Sequence, residues 1–310
     1  MDALTDLLDG PRARGAFLLR ATMSAPWSIH CADEAPLSLF AMVREHAWVL
    51  ADGFAPVRIG PGDIVIARGP EPYTVACDPA APVTVIINPG QSCSAPDGRS
   101  TTEEMWFGVR SWGNDPGGAT VMLIGTYPMR GAVTQKLLAA LPPLIVLSAD
   151  TLDSPLLRLL DQEIVKDDPG QDVVLDRLLD LLLIAVLRTW FSRPEAEAPG
   201  WYRAAGDPVV GPALRLLHDD LAHPWTVATL AEKSGVARAT LAQRFARLVG
   251  EPPMGYLTGL RLAQAADLLR ETDATLEAVA RKVGYGTAFA LSTAFKREHG
   301  VSPQEYRLNR

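Results

Sequence analysis

Histidine and cysteine are scarce in this sequence, and their spacing argues against the metal-cluster classes of protein. The 310 residues include five histidines and three cysteines. Intervals of 46 and 16 residues separate Cys31, Cys77 and Cys93, and neither interval matches a zinc-binding pattern or a CxxC redox motif. Because a zinc site takes about four closely placed ligands, we expect no metal ion and no cofactor.

A long apolar segment without charges is also missing. The most apolar stretch, residues 173–191, contains Asp176, Arg177, Asp180 and Arg188, and charged side chains in the middle of a membrane helix are costly. The first ten residues, MDALTDLLDG, are acidic and lack the basic start and apolar centre of a signal peptide. We expect a cytoplasmic protein with no membrane partner and no framework of disulfides.

Positive charge is in deficit over the whole chain but not in its C-terminal third. The net charge of -7 comes from 29 Lys and Arg against 36 Asp and Glu. Residues 206–310 hold 13 basic and 11 acidic side chains, whereas residues 1–205 hold 16 and 25. A near-neutral segment can bind nucleic acid when its basic groups share one face. The acidic N-terminal part is not expected to do so.

A unit of about fifty residues occurs twice between residues 224 and 306. An offset of 49 superimposes Gly235 on Gly284, and an offset of 50 superimposes Phe245 on Phe295. The extra residue falls just after the glycine, so it lengthens a turn and leaves the apolar spacing of the flanking helices intact. Each copy is therefore predicted to be a helix, a turn and a second helix.

Helix caps and apolar spacing support this prediction. Thr226 and Thr275 are candidate N-caps of the first helix of each copy. In the second helices an apolar pair at i and i+4, such as Leu241 with Phe245, marks the buried face. Two helices joined by a short turn form the unit whose second helix enters the major groove of DNA. The alternative is a helical repeat scaffold, but two copies joined by a helix at 254–269 are too few to bury a solenoid core.

The two copies resemble the paired helix-turn-helix motifs of AraC/XylS-type transcription regulators. The resemblance is carried by LAEKSGVARATLAQRFARLVG (230–250) and VARKVGYGTAFALSTAFKREHGVSPQEYR (279–307). The second segment matches the family's C-terminal motif at Gly284, Tyr285, Phe295, Lys296, Gly300, Pro303, Tyr306 and Arg307. The resemblance implies a homodimeric regulator of transcription with double-stranded promoter DNA and RNA polymerase as partners.

The same resemblance implies roles for individual side chains. The expected base-reading residues are Arg238, Ala239, Ala242 and Gln243 in the first motif, and Phe289, Ala290, Ser292 and Thr293 in the second. The expected phosphate contacts are Arg244, Arg247, Lys296 and Arg297. Many family members carry an arginine in place of Thr293 and a polar residue in place of Phe289. The second motif is therefore expected to add apolar contacts with thymine methyl groups. That Arg238 and Gln243 are merely solvated stays open.

The N-terminal part is predicted to be rich in β-strands. Runs of Val, Ile and aromatic residues, separated by Pro, Gly and Asp, occur at 37–43, 46–51, 63–67, 73–77 and 83–88. This spacing indicates a sandwich or barrel. The segment GPGDIVIARGPEPYTV (60–75) resembles the second motif of the cupin jelly roll, and the N-terminal half resembles the cupin-like sensory domain of one branch of the AraC family.

The predicted fold class is α+β with three parts. These are a cupin-like jelly-roll domain at 1–145, a helical linker or dimerisation segment at 146–200, and an all-α domain with two helix-turn-helix motifs at 206–310. The leucine-rich helices predicted at 152–166 and 173–191 fit either dimerisation or packing within the protomer. The proline-rich run at 192–200 is typical of an interdomain linker.

Two kinds of enzyme are the alternative to a regulator. Metal-dependent cupins hold their metal with several histidines and a glutamate, but here His46 stands alone near the first motif and Tyr73 occupies the histidine position of the second. Alkyl-transfer DNA repair proteins with the same DNA reader carry four zinc-binding cysteines, which this chain lacks. We expect no enzymatic activity.

Two signal mechanisms remain open for the N-terminal domain. Cys93 lies in the polar segment PGQSCSAPDG (89–98) and is expected to be exposed and oxidisable. Because some regulators with this kind of domain respond to oxidants or reactive chlorine, a reversible switch between Cys93 and either Cys31 or Cys77 is one hypothesis. The other is a small-molecule effector in the jelly-roll interior. The aromatic residues proposed to line that pocket are Trp27, Phe40, Trp48, Phe54 and Tyr73, with Trp106 and Trp112 as further candidates. That the five aromatic residues instead fill the interior as core stays open.

Overall fold

The described part of the chain folds into two compact units. The structure is a computed structural model that describes residues 17–127, 132–152, 154–193, 196 and 198–308. The first unit contains the described residues up to 127 and from 141 to 196, and the second contains those at 132–140 and from 198 onward. No helix of this described part is long and apolar enough to cross a membrane.

Two β-sheets form the first unit. The seven-stranded sheet consists, in spatial order, of β10 (Trp106–Gly108), β11 (Ser111–Gly113), β1 (Phe17–Met23), β12 (Thr120–Tyr127), β3 (Leu37–Arg44), β6 (Ile64–Arg68) and β13 (Leu144–Leu147). The six-stranded sheet consists of β5 (Val57–Ile59), β4 (Ala47–Ala51), β7 (Tyr73–Ala76), β2 (Ser28–Cys31), β8 (Val85–Asn88) and β9 (Ser92–Ser94). Side chains of both sheets share one buried core, which includes Trp27, Phe40 and Met42. The predicted jelly-roll class of fold is confirmed.

Five strands coincide with the runs that the sequence predicts, and others were missed. The sequence at 99–131 predicts a loop followed by one strand, whereas the described part of this segment contains the short strands β10 and β11 as well as β12. Strands of three residues carry too little alternation to be recognised from a period of two. Strand β9 was likewise interpreted as a polar loop.

Helices α2 (Pro155–Glu163) and α3 (Gln171–Phe191) pack in the same unit as the sheets. The Tyr127 hydroxyl donates to the Leu179 carbonyl at 3.0 Å. A Cβ atom added at Gly125 would lie 2.7 Å from Leu179 Cδ2, so this glycine allows the close approach of strand and helix. Arg20 Nε donates to Asp161 Oδ1 at 3.2 Å. The predicted domain boundary at residue 145 therefore falls inside one compact unit. The contacts that join its two sides link residues far apart in the sequence, so no local pattern reveals them.

The second unit is helical. It consists of α1 (Ala132–Ala139), α4 (Gly200–Ala204), α5 (Val210–Asp219), α6 (Val227–Lys233), α7 (Arg238–Val249), α8 (Pro253–Glu271), α9 (Leu276–Lys282), α10 (Ala288–His299) and α11 (Pro303–Leu308). Helix α1 follows β12 in the sequence but packs against α8. Helices α6 with α7 and α9 with α10 are the two predicted helix-turn-helix motifs, which confirms the helical class of the C-terminal domain.

The structure explains the slip of register between the two copies. Thr226 and Thr275 accept hydrogen bonds from the backbone N–H groups of Thr229 and Ala278 at 3.1 and 3.2 Å, as predicted for N-caps. Residues 234–237 separate α6 from α7, and residues 283–287 separate α9 from α10. The extra residue thus lies in the second turn. Gly284 in that turn has φ +82°, a left-handed conformation that favours glycine.

Two phenylalanines of α10 differ in burial, and their substitution tests the assigned core. Phe295 is fully buried and Phe289 is 81% exposed. We expect Phe295→Ala to lower the free energy of unfolding by about 3 to 5 kcal/mol because it opens a cavity. The matched control Phe289→Ala should change it by less than about 0.5 kcal/mol. Urea unfolding followed by circular dichroism measures both, and equal losses would contradict the assigned core.

Candidate DNA interface and sensory cavity

The second helix of each motif turns a polar or mixed face outward. In α7, burial of Leu241 and Phe245 leaves the opposite side accessible, and in α10 Leu291 and Phe295 do the same. The accessible residues of α7 are Arg238, Ala239, Gln243 and Arg247, with Ala242 half-buried beside them. The accessible residues of α10 are Phe289, Ala290, Thr293, Lys296, Arg297 and Glu298, with Ser292 half-buried. The structure thus places the predicted DNA-contacting residues, apart from Arg244, on these two faces.

Arg244 has a structural partner, which the sequence did not indicate. Its Nε and Nη2 atoms donate to Asp207 Oδ2 at 3.0 and 2.8 Å. Asp207 Oδ1 accepts from the backbone N–H groups of Val209 and Val210 at the start of α5. Burial opposes the charged form of Asp207, but the Arg244 guanidinium and these N–H groups lower its pKa. Arg244 therefore ties α7 to the segment before α5, and its contact with a phosphate stays a prediction.

Helix α10 offers few free polar groups for bases. The Thr293 hydroxyl donates to the Phe289 carbonyl within the helix at 3.0 Å. Phe289 carries its ring on the surface, where a large apolar side chain has no core to join. The accessible face at the start of α10 is therefore mainly apolar.

A cavity lies between the two sheets of the first unit. Its walls are formed by Phe17, Leu19, Ile29, Cys31, Asp33, Tyr73, Ile87, Gln91, Cys93, Trp106, Trp112, Ile124 and Thr126. The cavity volume is about 40 Å³, and a site for one water needs roughly 10 to 15 Å³. It therefore has room for a few waters or one compact chemical group.

Most of the predicted pocket residues lie elsewhere. Only Tyr73 of the five lines the cavity. Trp27 and Phe40 are fully buried in the core, and the Phe40 ring stacks on Tyr73 at 5.7 Å. Phe54 is 42% exposed, and Trp48 is half-buried away from the cavity. Trp27 and Phe40 thus fill the interior, which is the alternative that the sequence left open, and Phe54 and Trp48 lie outside the cavity walls. The two further candidates, Trp106 and Trp112, do line the cavity.

Polar groups of the cavity are held in place by neighbours. Asp33 Oδ2 accepts from Gln91 Nε2 at 2.7 Å, and Asp33 Oδ1 accepts from the Ala35 N–H at 3.3 Å. Burial raises the pKa of the Tyr73 hydroxyl, the neighbouring Cys31 raises it further, and the Ser38 side chain opposes this shift. The rings of Phe17 and Trp106 meet edge to face, with centroids 6.0 Å apart.

An outer groove adjoins the cavity, because Phe17 and Trp106 line both. The groove has a volume of about 450 Å³ and is also lined by Leu18, Arg110, Asp172, Leu175 and Asp176. Arg110 forms an ion pair with Asp172 and donates to the Lys166 carbonyl at 3.1 Å.

The cysteines do not have the geometry of a disulfide switch. Cys31 lies opposite Ile87, and Ile87 lies opposite Cys93, so the two cysteines are two strands apart. Their Cα atoms are then about 9 to 10 Å apart, beyond the roughly 7 Å limit for a disulfide. Cys77 accepts from the Trp27 N–H at 3.3 Å, at the other end of β2. Neither proposed pairing can form without movement of strands.

The prediction of an exposed Cys93 was also wrong. Cys93 is 5% exposed and lies in β9 instead of a loop. Burial raises the pKa of Cys31 to about 12, and burial raises the pKa of Cys93 although the Trp112 side chain opposes this. Since the thiolate is the reactive form, both groups remain protonated and unreactive at neutral pH.

Histidines and acidic residues do not gather into a metal site in the described residues, where no group of three or more His, Cys, Asp or Glu is placed to hold an ion. His30 Nδ1 is instead hydrogen-bonded to Thr74 Oγ1 at 3.0 Å.

Alkylation tests the state of the thiols. At pH 8 we expect iodoacetamide to modify Cys31 and Cys93 at least about 100-fold more slowly in the native protein than in urea, because burial keeps them protonated. Mass spectrometry of the peptides gives both rates, and the unfolded chain is the control. Modification of native Cys93 at the unfolded rate would restore the oxidant hypothesis.

Known proteins resemble both parts of the chain. Residues 2–192 match a family described as Cupin, and residues 230–309 match a family described as Helix-turn-helix domain. A protein of Streptomyces lividans described as an AraC-like transcription regulator is 34% identical over 314 residues, which cover 99% of this chain and 98% of that protein. A protein of Streptomyces antibioticus with the same description is 35% identical over 316 residues, covering 99% and 98%.

A crystal structure of the DNA-binding domain of AdpA, the global transcriptional factor, in complex with a target DNA, is 32% identical to the matched part. The match covers 34% of this chain and 93% of that one, with a TM-score of 0.32. The family assignment rests on the sequence matches, of which one covers more than half of the chain and two cover almost all of it. The protein belongs to the AraC-like transcription regulators, DNA-binding proteins that join a cupin domain to a helix-turn-helix domain.

Proposed function

We propose that each protomer holds promoter DNA with α7 and α10 in two successive major grooves, and that a small molecule in the cavity adjusts this binding. The observation that carries the DNA part is the repeated exposure of one face on two helices that each bury a Leu and Phe pair.

Control by a ligand requires that a compound bound in the cavity changes the Kd for promoter DNA. A bound compound that leaves this Kd unchanged would contradict it.

Side-chain chemistry supports different tasks for the two faces. Arg238 and Gln243 on α7 present the donors and acceptors that suit guanine and adenine edges, with Ala239 and Ala242 between them. On α10, Phe289 with Ala290 suits thymine methyl groups, and Ser292 and Thr293 add small polar contacts. Arg247, Lys296 and Arg297 fit phosphates, which fix position without carrying sequence information.

An oxidant signal is disfavoured as the alternative to a ligand. Cys93 is buried and Cys31 half-buried, burial raises the pKa of both thiols, and their separation prevents a direct disulfide. The cavity that both thiols line has aromatic walls and a carboxylate, which is the usual composition of a small-molecule site.

We infer that the protein acts in the cytoplasm without catalysing a reaction, and that RNA polymerase is its second macromolecular partner. A promoter-bound regulator changes transcription through the polymerase that uses the same promoter. A transcription assay with purified polymerase measures this effect, and an unchanged rate at saturating protein would contradict it.

A homodimer is proposed through the accessible side of α3. Leu181 and Val174 are 50% and 44% exposed and lie seven residues apart, on nearly the same face of the helix. Their removal from water favours a second copy that presents the same apolar face.

Substitutions should distinguish residues that recognise bases from residues that bind phosphates without regard to sequence. Gln243→Ala is expected to relax base preference at one position, at a cost of about 1 to 3 kcal/mol for the preferred base. Lys296→Ala should weaken binding to all sequences alike and reduce the salt slope by about 1. Gel shifts on a set of single-base variants of the site measure both. An unchanged preference in Gln243→Ala would show that the base-contacting face is misplaced.

A footprint tests the geometry of the complex. Each protomer should protect two successive major grooves about 10 base pairs apart on one side of the DNA, and a dimer two such pairs.

A substitution on α3 tests the dimer. Leu181→Asp should shift the free protein to monomer in sedimentation velocity. The control Leu308→Asp, at a residue that is 78% exposed outside α3, should not. Protection of one groove per protomer, or a dimer that survives Leu181→Asp, would contradict the arrangement.

A further inference from the structure

We propose that the cavity between the two sheets binds a compact organic cation, with the Asp33 carboxylate as the charge partner and Phe17, Tyr73 and Trp106 as aromatic walls. The inference rests on the proposed sensory role of the cavity and adds the chemical class of the ligand. No positively charged side chain of the described residues lines this cavity, and Asp33 is the one acidic residue among its walls.

The environment of Asp33 leaves its charge without an ionic partner in the described part of the chain. Its two oxygens accept from a neutral amide, Gln91 Nε2 at 2.7 Å, and from the Ala35 N–H at 3.3 Å. Neutral donors orient a carboxylate but do not neutralise it. A half-buried carboxylate gains most from a ligand that brings a positive charge.

The aromatic walls favour the same class of ligand. Faces of Trp, Tyr and Phe attract cations through their quadrupoles, and this attraction strengthens when water is excluded. Three such rings and one carboxylate converge on a space of about 40 Å³, which admits a compact headgroup. The larger groove that shares Phe17 and Trp106 can receive the rest of a longer molecule.

Acidic residues also line the groove that adjoins the cavity. Asp172 and Asp176 lie in its walls together with Arg110, which forms an ion pair with Asp172. Residues 1–205 hold 25 acidic and 16 basic side chains, so the field of the whole segment attracts cations. Inside the cavity an anionic ligand would meet the Asp33 carboxylate and no cationic side chain of the described residues. A neutral apolar ligand would cover Asp33 without compensating its lost hydration.

Three probes of equal shape and different charge test the proposal on the full chain without DNA. They are choline, its neutral isostere 3,3-dimethylbutan-1-ol, and the anion 3,3-dimethylbutanoate, each titrated by calorimetry at constant ionic strength. We expect choline to bind at least about tenfold more tightly than the alcohol, since a charge pair and cation–π contacts are added, and the anion to show no binding. Asp33→Asn should abolish the preference for choline, and the control Asp52→Asn, on an exposed turn, should retain it.

Equal binding of choline and the alcohol, no binding of choline, or an unchanged preference in Asp33→Asn would overturn the proposal. The comparison within the wild-type protein does not depend on the folding of a variant. A second titration, of promoter DNA with and without saturating choline chloride against the same concentration of sodium chloride, separates this proposal from the sensory role. If choline binds but the Kd for DNA is unchanged, the proposed class of ligand stands and the proposed control of DNA binding is refuted.

Discussion

The hydrogen bonds of Arg261 fix the geometry on which DNA recognition depends. This side chain of α8 donates from Nε to the Leu221 carbonyl and from Nη2 to the His223 carbonyl, both at 2.7 Å. The same guanidinium lies against the turn of the second motif, where a Cβ atom at Gly284 would be 2.8 Å from Nη2. One side chain thus contacts the segment before the first motif and the turn inside the second.

Packing of α8 reinforces this constraint. Its first half contributes Tyr256, Leu257 and Leu260 to the core of the first motif. Its second half contributes Leu262, Ala265, Ala266 and Leu269 to the core of the second. Because both cores share one continuous helix, α7 and α10 cannot change their spacing without loss of buried contacts. A fixed spacing is what the proposed insertion of both helices into successive grooves requires.

The helices and turns of the helix-turn-helix domain could be predicted from the sequence, whereas the cavity between the sheets could not. Caps, turns and the buried faces of α7 and α10 depend on residues within one or two turns, so periodicity reveals them. The pairing of Arg244 with Asp207 joins residues 37 apart in sequence, and nothing local marks it. The cavity depends on the order of strands, because the pairing of β2 with β8 and of β8 with β9 brings Cys31 and Cys93 to one wall.

Composition explains why the predicted aromatic pocket and the observed cavity differ. The interior of a small jelly roll is filled by its largest side chains, as Trp27 and Phe40 show, so a cavity persists only where shorter side chains face one another. Here Cys31, Cys93 and Thr126 supply the space, and Tyr73, Trp106 and Trp112 surround it. Small residues between aromatic ones are therefore a better sequence indication of a cavity than the aromatic residues alone. By the same argument the small side chains of Cys31 and Cys93 leave room for the cavity, and burial raises the pKa of both thiols.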